Sequence, residues 1–182
     1  MRKALVFLGI LDDKDLEWII RSGERRDIPT GSVLVHEGKQ IDSVFLLLDG
    51  LLSVTTGVLG GKELARLAVG EIVGEMSFVD SRPPSATVTA LRDSSVLVIS
   101  RVDLSTKLEE DVDFAARFYR AMAVFLSDRL RSTVSHLGYG EEMRLEEDVE
   151  DKDEVPEHLM DNLSMAGLRF AELQRRVRGA LS

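Results

Sequence analysis

Apolar residues over the first hundred positions come in short runs broken by turn-forming residues. After Ser100 they recur instead at every third and fourth position. The two regimes predict strands followed by helices. Leu11, Leu16, Ile19 and Ile20 mark a first helix, with Asp12 or Asp13 placed to cap it. Arg25–Ile28 opens the strand region, Pro29-Thr30-Gly31 turns, Val33–Val35 is a short strand, and Glu37-Gly38 turns again. The apolar runs 44–48 and 51–55 flank Asp49-Gly50, a pair that tolerates positive φ, so the pattern predicts a two-residue hairpin there. A second hairpin is predicted around Gly57–Gly61, with 63–68 as its return strand. Ile72-Val73, 86–91 and 96–100 complete a set of short, closely spaced strands. This spacing argues for a mainly β chain, a jelly roll or barrel with added helices, rather than alternating βα units.

In the helical regime, Phe114, Phe118, Ala121, Phe125, Leu130, Val134 and Leu137 form one stripe, which predicts a long helix over about residues 111–137. Gly138 and Gly140 are natural stop signals. From Glu141 to Glu157 there are ten acidic residues against two basic ones, too few apolar groups for a core, and a solvated linker is expected. Leu159, Leu163, Ala166, Phe170, Leu173 and Val177 then predict a final amphipathic helix carrying Arg169, Arg175, Arg176 and Arg178. The expected division is 1–140 for the β domain with its long helix, 141–158 for the linker and 159–182 for the last helix. Packing of that helix on its own domain is the plainer expectation, docking on a partner the other.

Composition narrows the function classes. A net charge of −9 disfavours nonspecific binding to nucleic acid or to an anionic membrane. No cysteine is present, which removes disulfides and thiolate metal sites. The opening Met1-Arg2-Lys3 and the apolar run 4–11 lack a small-residue cleavage site and meet Asp12-Asp13 at once. They read as the lead into a packed helix rather than a signal peptide, and the expected location is cytoplasmic. His36, His136 and His158 show no ligand spacing, so no metal is expected. No nucleophile elbow or triad order appears, so no catalytic residues are assigned.

One stretch carries chemistry: the run Gly74-Glu75-Met76-Ser77-Phe78-Val79-Asp80-Ser81-Arg82-Pro83-Pro84-Ser85-Ala86-Thr87-Val88. A helical turn starting at Gly74 presents unpaired N–H groups that favour an anion. Glu75 there can cap the turn or accept hydrogen bonds from ligand hydroxyls. The run resembles the phosphate-binding cassette of cyclic nucleotide-binding domains, the family of catabolite-activator sensors and kinase regulatory subunits. Gly74, Glu75, Pro83, Ser85 and Ala86 match its pattern, and His36-Glu37-Gly38, residues 44–48, Asp49-Gly50 and 51–54 resemble the early strands. The resemblance covers roughly residues 5–137. It implies an eight-stranded β-roll with flanking helices and a long C-terminal helix that closes over the ligand and often pairs with its twin.

The resemblance further implies that Glu75 binds a ribose hydroxyl, while Gly74 to Met76 and Ser85 hold the cyclic phosphate of cAMP or cGMP. Thr133 falls near the base contact. Pro84 stands where the family has its phosphate-binding arginine. Proline supplies neither charge nor N–H. Losing one partner of a buried charged pair costs on the order of 2–5 kcal/mol, roughly thirtyfold to several thousandfold in affinity. Arg82, two residues earlier, is the replacement to weigh against a merely solvated loop arginine. The family's transcription factors carry a helix-turn-helix after the long helix; here an acidic segment and one helix follow, so no DNA reader is expected. Two readings result. One is a non-enzymatic regulatory sensor whose ligand binding Pro84 weakens or alters, a homodimer through the stripe Phe114, Phe118, Ala121, Phe125. The other is a diverged β-roll acting as an interaction or structural module with no nucleotide.

Overall fold

The computed structural model describes residues 7–138 and 157–179, with side chains over 7–131 apart from Leu59, and over 166–177. Helix α1 (Asp13–Ser22) leads into β1 (Glu24–Ile28), β2 (Val33–Val35), β3 (Ser43–Asp49), β4 (Leu52–Thr56), β5 (Lys62–Leu67) and β6 (Ile72–Val73). Then come α2 (Glu75–Asp80), β7 (Thr87–Ala90), β8 (Ser94–Ser100), α3 (Arg101–Glu110), α4 (Val112–Gly138) and α5 (Glu157–Gly179). The predicted acidic linker lies outside the described residues, except for Glu157 and His158 at the start of α5. Among the described residues no helix is long and apolar enough to cross a membrane.

The eight strands form two antiparallel four-stranded sheets, ordered β1-β8-β3-β6 and β2-β7-β4-β5. The expected eight-stranded β-roll with flanking helices is the observed fold. The strand period of two sorts the side chains. Phe45, Leu47, Val73, Val96 and Val98 point into the roll, toward Leu52, Val88 and Ala90 of the second sheet. Val44, Leu46, Leu48, Leu97 and Ile99 point the other way, toward the helices. The central strands of the first sheet are thus buried on both faces, which is why β3 and β8 are nearly unbroken apolar runs, whereas β1 at the edge is largely exposed.

The helical layer has clear local causes. Asp12 caps α1 in a reciprocal box: Asp15 N–H donates to Asp12 Oδ1 and Asp12 N–H to Asp15 Oδ2, both at 2.9 Å. Asp15 is buried and also accepts both arms of Arg117 of α4, at 2.6 and 2.9 Å, tying the two helices together. Phe114, Phe118, Ala121, Met122 and Phe125 of α4 are buried in this layer with Phe7, Leu8, Leu11, Leu16 and Ile19. Each such aromatic contributes about 2–3 kcal/mol. Helix α5 takes the plainer of its two expected places. Leu173 and Val177 enter the same core, Arg169 donates to Asp13 Oδ1 and Leu11 O, and Gln174 Nε2 donates to Leu48 O at the irregularity ending β3.

Two expectations are corrected, and one element is added. Asp49-Gly50 does turn, with Gly50 at φ 109° where a Cβ would lie 2.0 Å from Ser94 Oγ. It is not a hairpin, however: β3 pairs with β6 and β8, whereas β4 pairs with β5 and β7. Turn chemistry is local, but strand pairing is settled by the partner each face can bury. The β4–β5 hairpin is present, joined by a 3-10 turn at Gly57–Leu59. The added element is a helix, α3, which fills 101–110 before Asp111 breaks the chain direction. It buries little beyond Leu104, so it carries almost no apolar stripe to read. The second correction is that the stripe Phe114, Phe118, Ala121, Phe125 is consumed within its own domain and is not left over for a twin helix.

Candidate functional site

Strand β6 delivers the chain to Gly74, whose φ of 88° is left-handed. A Cβ there would come within 2.8 Å of Ile41 Cδ1 and 3.0 Å of Ser43 O, so glycine is needed for both conformation and space. Helix α2 starts immediately, and its first residue, Glu75, is only 2% exposed. A carboxylate in that position requires a partner. Arg129 of α4 supplies it: Nη1 donates to Glu75 Oε1, and Nη2 donates to Ile72 O at 3.4 Å. The same guanidinium lies 4.8 Å from the centre of the Phe125 ring, a cation–π arrangement.

Burial pushes the Glu75 carboxyl above its ordinary value; the Arg129 charge and the Glu75 backbone N–H pull it down, less strongly. An ionised carboxylate offers about four acceptor positions. Arg129 and the backbone N–H use part of that capacity, and hydroxyl donors of a ligand could use the rest. Beyond the capping and ligand roles expected of it, Glu75 joins α2 to the long helix.

A second contact joins the same elements. Phe78 of α2 meets Phe118 edge-on at 5.9 Å, about three helical turns from Arg129 along α4. The far end of α2 is held by Arg101, the first residue of α3. Its Nη1 donates to Ser77 O at 2.9 Å and its Nη2 to Ser81 Oγ at 2.8 Å, with the guanidinium 5.7 Å from the Phe78 ring. Ser81 needs this support, since among the described residues it alone adopts positive φ without being glycine.

Beyond Ser81 the cassette opens to solvent. Arg82 is 83% exposed and lies by Asp80: its N–H donates to Asp80 Oδ1 at 3.0 Å, and Nε is 3.9 Å from Oδ2. Pro84 O accepts from Gly38 N–H at 2.8 Å, fastening the loop to the β2–β3 turn. Ser85 is exposed and Ala86 half-buried as the chain enters β7. Met76 is half exposed on α2. Thr133 lies one turn past Arg129 on α4, and its side chain is outside the described residues. Arg129 itself escaped the sequence reading. Its signal was spacing: it follows Phe125 by four, continuing the stripe that the rest of the helix buries. Among the described residues no group of three acidic or histidine side chains could hold a metal ion.

Residues 25–111 match the family model described as "Cyclic nucleotide-binding domain". The chain is 28% identical over 114 residues to the Pycsar effector protein XpPycTIR of Xanthomonas perforans, covering 62% of this chain and 37% of that protein. It is 30% identical over 105 residues to the cyclic AMP receptor protein of Thermus thermophilus, covering 57% of this chain and 48% of that one. A solved cyclic nucleotide-binding domain from Methylobacillus flagellatus superposes with a TM-score of 0.68 at 22% identity, covering 74% of this chain and 80% of that one. The chain spans less than half the length of these two curated relatives.

Proposed function

Residues 25–111 belong to the cyclic nucleotide-binding domain family, and from that premise we propose that the chain is a non-enzymatic regulatory sensor. In this reading it takes cAMP or cGMP weakly and reports occupancy through α4. The observation that carries the reading is the Glu75–Arg129 pair. The carboxylate that the resemblance assigns to a ribose hydroxyl is the one that holds the long helix. A ligand diol donating to the remaining acceptor positions of Glu75 shares one carboxylate with Arg129, so binding and helix position become coupled. Gly74, Met76, Ser85 and Ala86 shape the phosphate end. Pro84 leaves that end without its guanidinium, and solvated Arg82 pairs with Asp80 instead.

Calorimetry with cAMP and cGMP at millimolar concentration tests this. Weak, saturable heat that disappears in Glu75→Ala is expected. A folded protein silent to both would instead support the second reading, a protein-interaction module. Pro84, with neither charge nor N–H, and Arg82 turned toward Asp80 are the observations on the side of that alternative.

Dimerisation belongs to the same proposal, with a changed surface. Val112, Ala116, Tyr119, Ala123, Leu126 and Leu130 repeat at alternating steps of four and three along α4. Val112, Tyr119 and Leu130 are 77%, 52% and 64% exposed. This seam, not the buried phenylalanine stripe, is where a twin helix would pack. Sedimentation at tens of micromolar should show a dimer that Leu130→Asp dissociates; a monomeric wild type would remove this part of the reading.

A further inference from the structure

On the side of the molecule where α1, α3 and α5 meet, a cleft of about 350 Å³ is lined by Lys14, Glu17, Trp18 and Arg21 of α1, Lys107 of α3 and Arg176 of α5. The chain as a whole carries 32 acidic against 23 basic residues. This cleft inverts the balance, with four cations to one carboxylate. Lys14, Glu17, Trp18 and Arg21 stand at i, i+3, i+4 and i+7, one face of α1. The two cations therefore sit about 10 Å apart along the helix with the indole between them.

The pairing within the cleft is uneven. Lys107 Nζ donates to Asp111 Oδ2 at 2.7 Å and lies 5.4 Å from the Phe114 ring. Arg176 Nε donates to Glu172 at 2.7 Å, and its Nη1 is 3.8 Å from Glu17 Oε1. The flanking carboxylates thus engage Lys107 and Arg176. The Lys14 and Arg21 side chains have no hydrogen-bond or ion-pair partner among the described residues. Trp18 is half-buried, packed on Phe114 at 5.4 Å, which fixes its plane. No step assigned to the cassette uses any of these groups.

We propose that this cleft binds the oligophosphate group of a small molecule, with the ligand's flat ring lying on Trp18. Several charges on one compact group can reach cations on facing walls at once, which a single carboxylate cannot. The guanidinium of Arg21 and the ammonium of Lys14 are both suited to phosphate oxygens. A fixed indole offers a stacking face to a planar ring. The volume falls within the range of small-molecule sites. The two sources of the chemistry are a nucleoside triphosphate and free inorganic oligophosphate.

Trp18 is the chain's one tryptophan, so its fluorescence reports on the cleft without labelling. The experiment titrates the full chain at low salt with ATP and, separately, with inorganic triphosphate. Saturable change is expected with half-saturation at roughly 1 mM or below, weakening as salt is raised. Lys14→Glu/Arg21→Glu should weaken it at least tenfold; both side chains are exposed, and a circular-dichroism melt checks that the variant folds. Glu75→Ala should leave it unchanged, which separates this site from the cassette. Stronger binding of ATP than of triphosphate supports the ring contact; equal binding keeps the phosphate site and overturns the ring contact. No saturable change with either ligand up to roughly 5 mM, or a change indifferent to the double variant, overturns the proposal.

Discussion

The two ends of the cassette are built differently. At its helical end, Glu75 is buried and matched by Arg129, and Phe78 and Arg101 secure α2 against α4 and α3. At its loop end, Ser85 is exposed, Arg82 is solvated beside Asp80, and Pro84 offers neither charge nor N–H. One end is completed by the protein; the other would be completed only by something added. Under the proposed sensor reading a ligand must engage both ends at once, and the contrast then assigns the weakness to phosphate capture rather than to the coupling to the long helix.

The largest expected effect breaks the completed end. Arg129→Met leaves a buried carboxylate without its cation and should destabilise the protein by about 3 kcal/mol at neutral pH, the lower part of the range for a broken buried pair because Arg129 is partly solvated. The loss should shrink in acid. The folded Glu75 carboxyl binds its proton above the ordinary value of 4.5, so the folded state gains stability as pH falls through the folded value toward 4.5. Without Arg129 that window extends to higher pH. Urea unfolding at pH 5.5 and 7.5 checks the sign, and Glu75→Gln in the Arg129→Met background should recover most of the loss.

A smaller change should complete the open end. Pro84→Arg would supply a guanidinium to a loop already fastened through the Pro84 carbonyl. Cyclic AMP affinity by calorimetry should rise at least tenfold, about 1.4 kcal/mol, and Glu75→Ala should reverse the gain. A folded Pro84→Arg protein blind to cyclic nucleotides would mean that the roll interior does not admit the ligand. Smaller again is Arg101→Gln, which removes charged donors from Ser77 O and Ser81 Oγ. A loss of about 1–1.5 kcal/mol is expected, with faster amide exchange at Ser81. Arg82→Ala should sit at the bottom, within about 0.5 kcal/mol of wild type and with nucleotide affinity unchanged. A clear loss of affinity there would show that Arg82 swings in and would erase the difference between the two ends.

The residues themselves determined a good deal. Near-continuous apolar runs marked β3 and β8, because strands buried on both faces have no polar side to show. Glycines marked the β4–β5 turn and the start of α2, since left-handed backbone restricts the residue type locally. A three-and-four spacing marked α4 and α5. These signals share one property: their physical cause lies within a few residues.

What the tertiary structure decided has causes far apart in sequence. Asp49-Gly50 turns the chain, but whether it joins partners or crosses between sheets depends on β7 and β8 forty residues later. The stripe on α4 announces burial without saying against what, and α1, Phe7 and Phe78 consume it. Arg129 reads as an ordinary helix cation until Glu75, 54 positions earlier, is found beneath it. Desolvation makes that contact matter, and desolvation belongs to no segment alone: it arises only when α2, β6 and α4 exclude water from the same carboxylate.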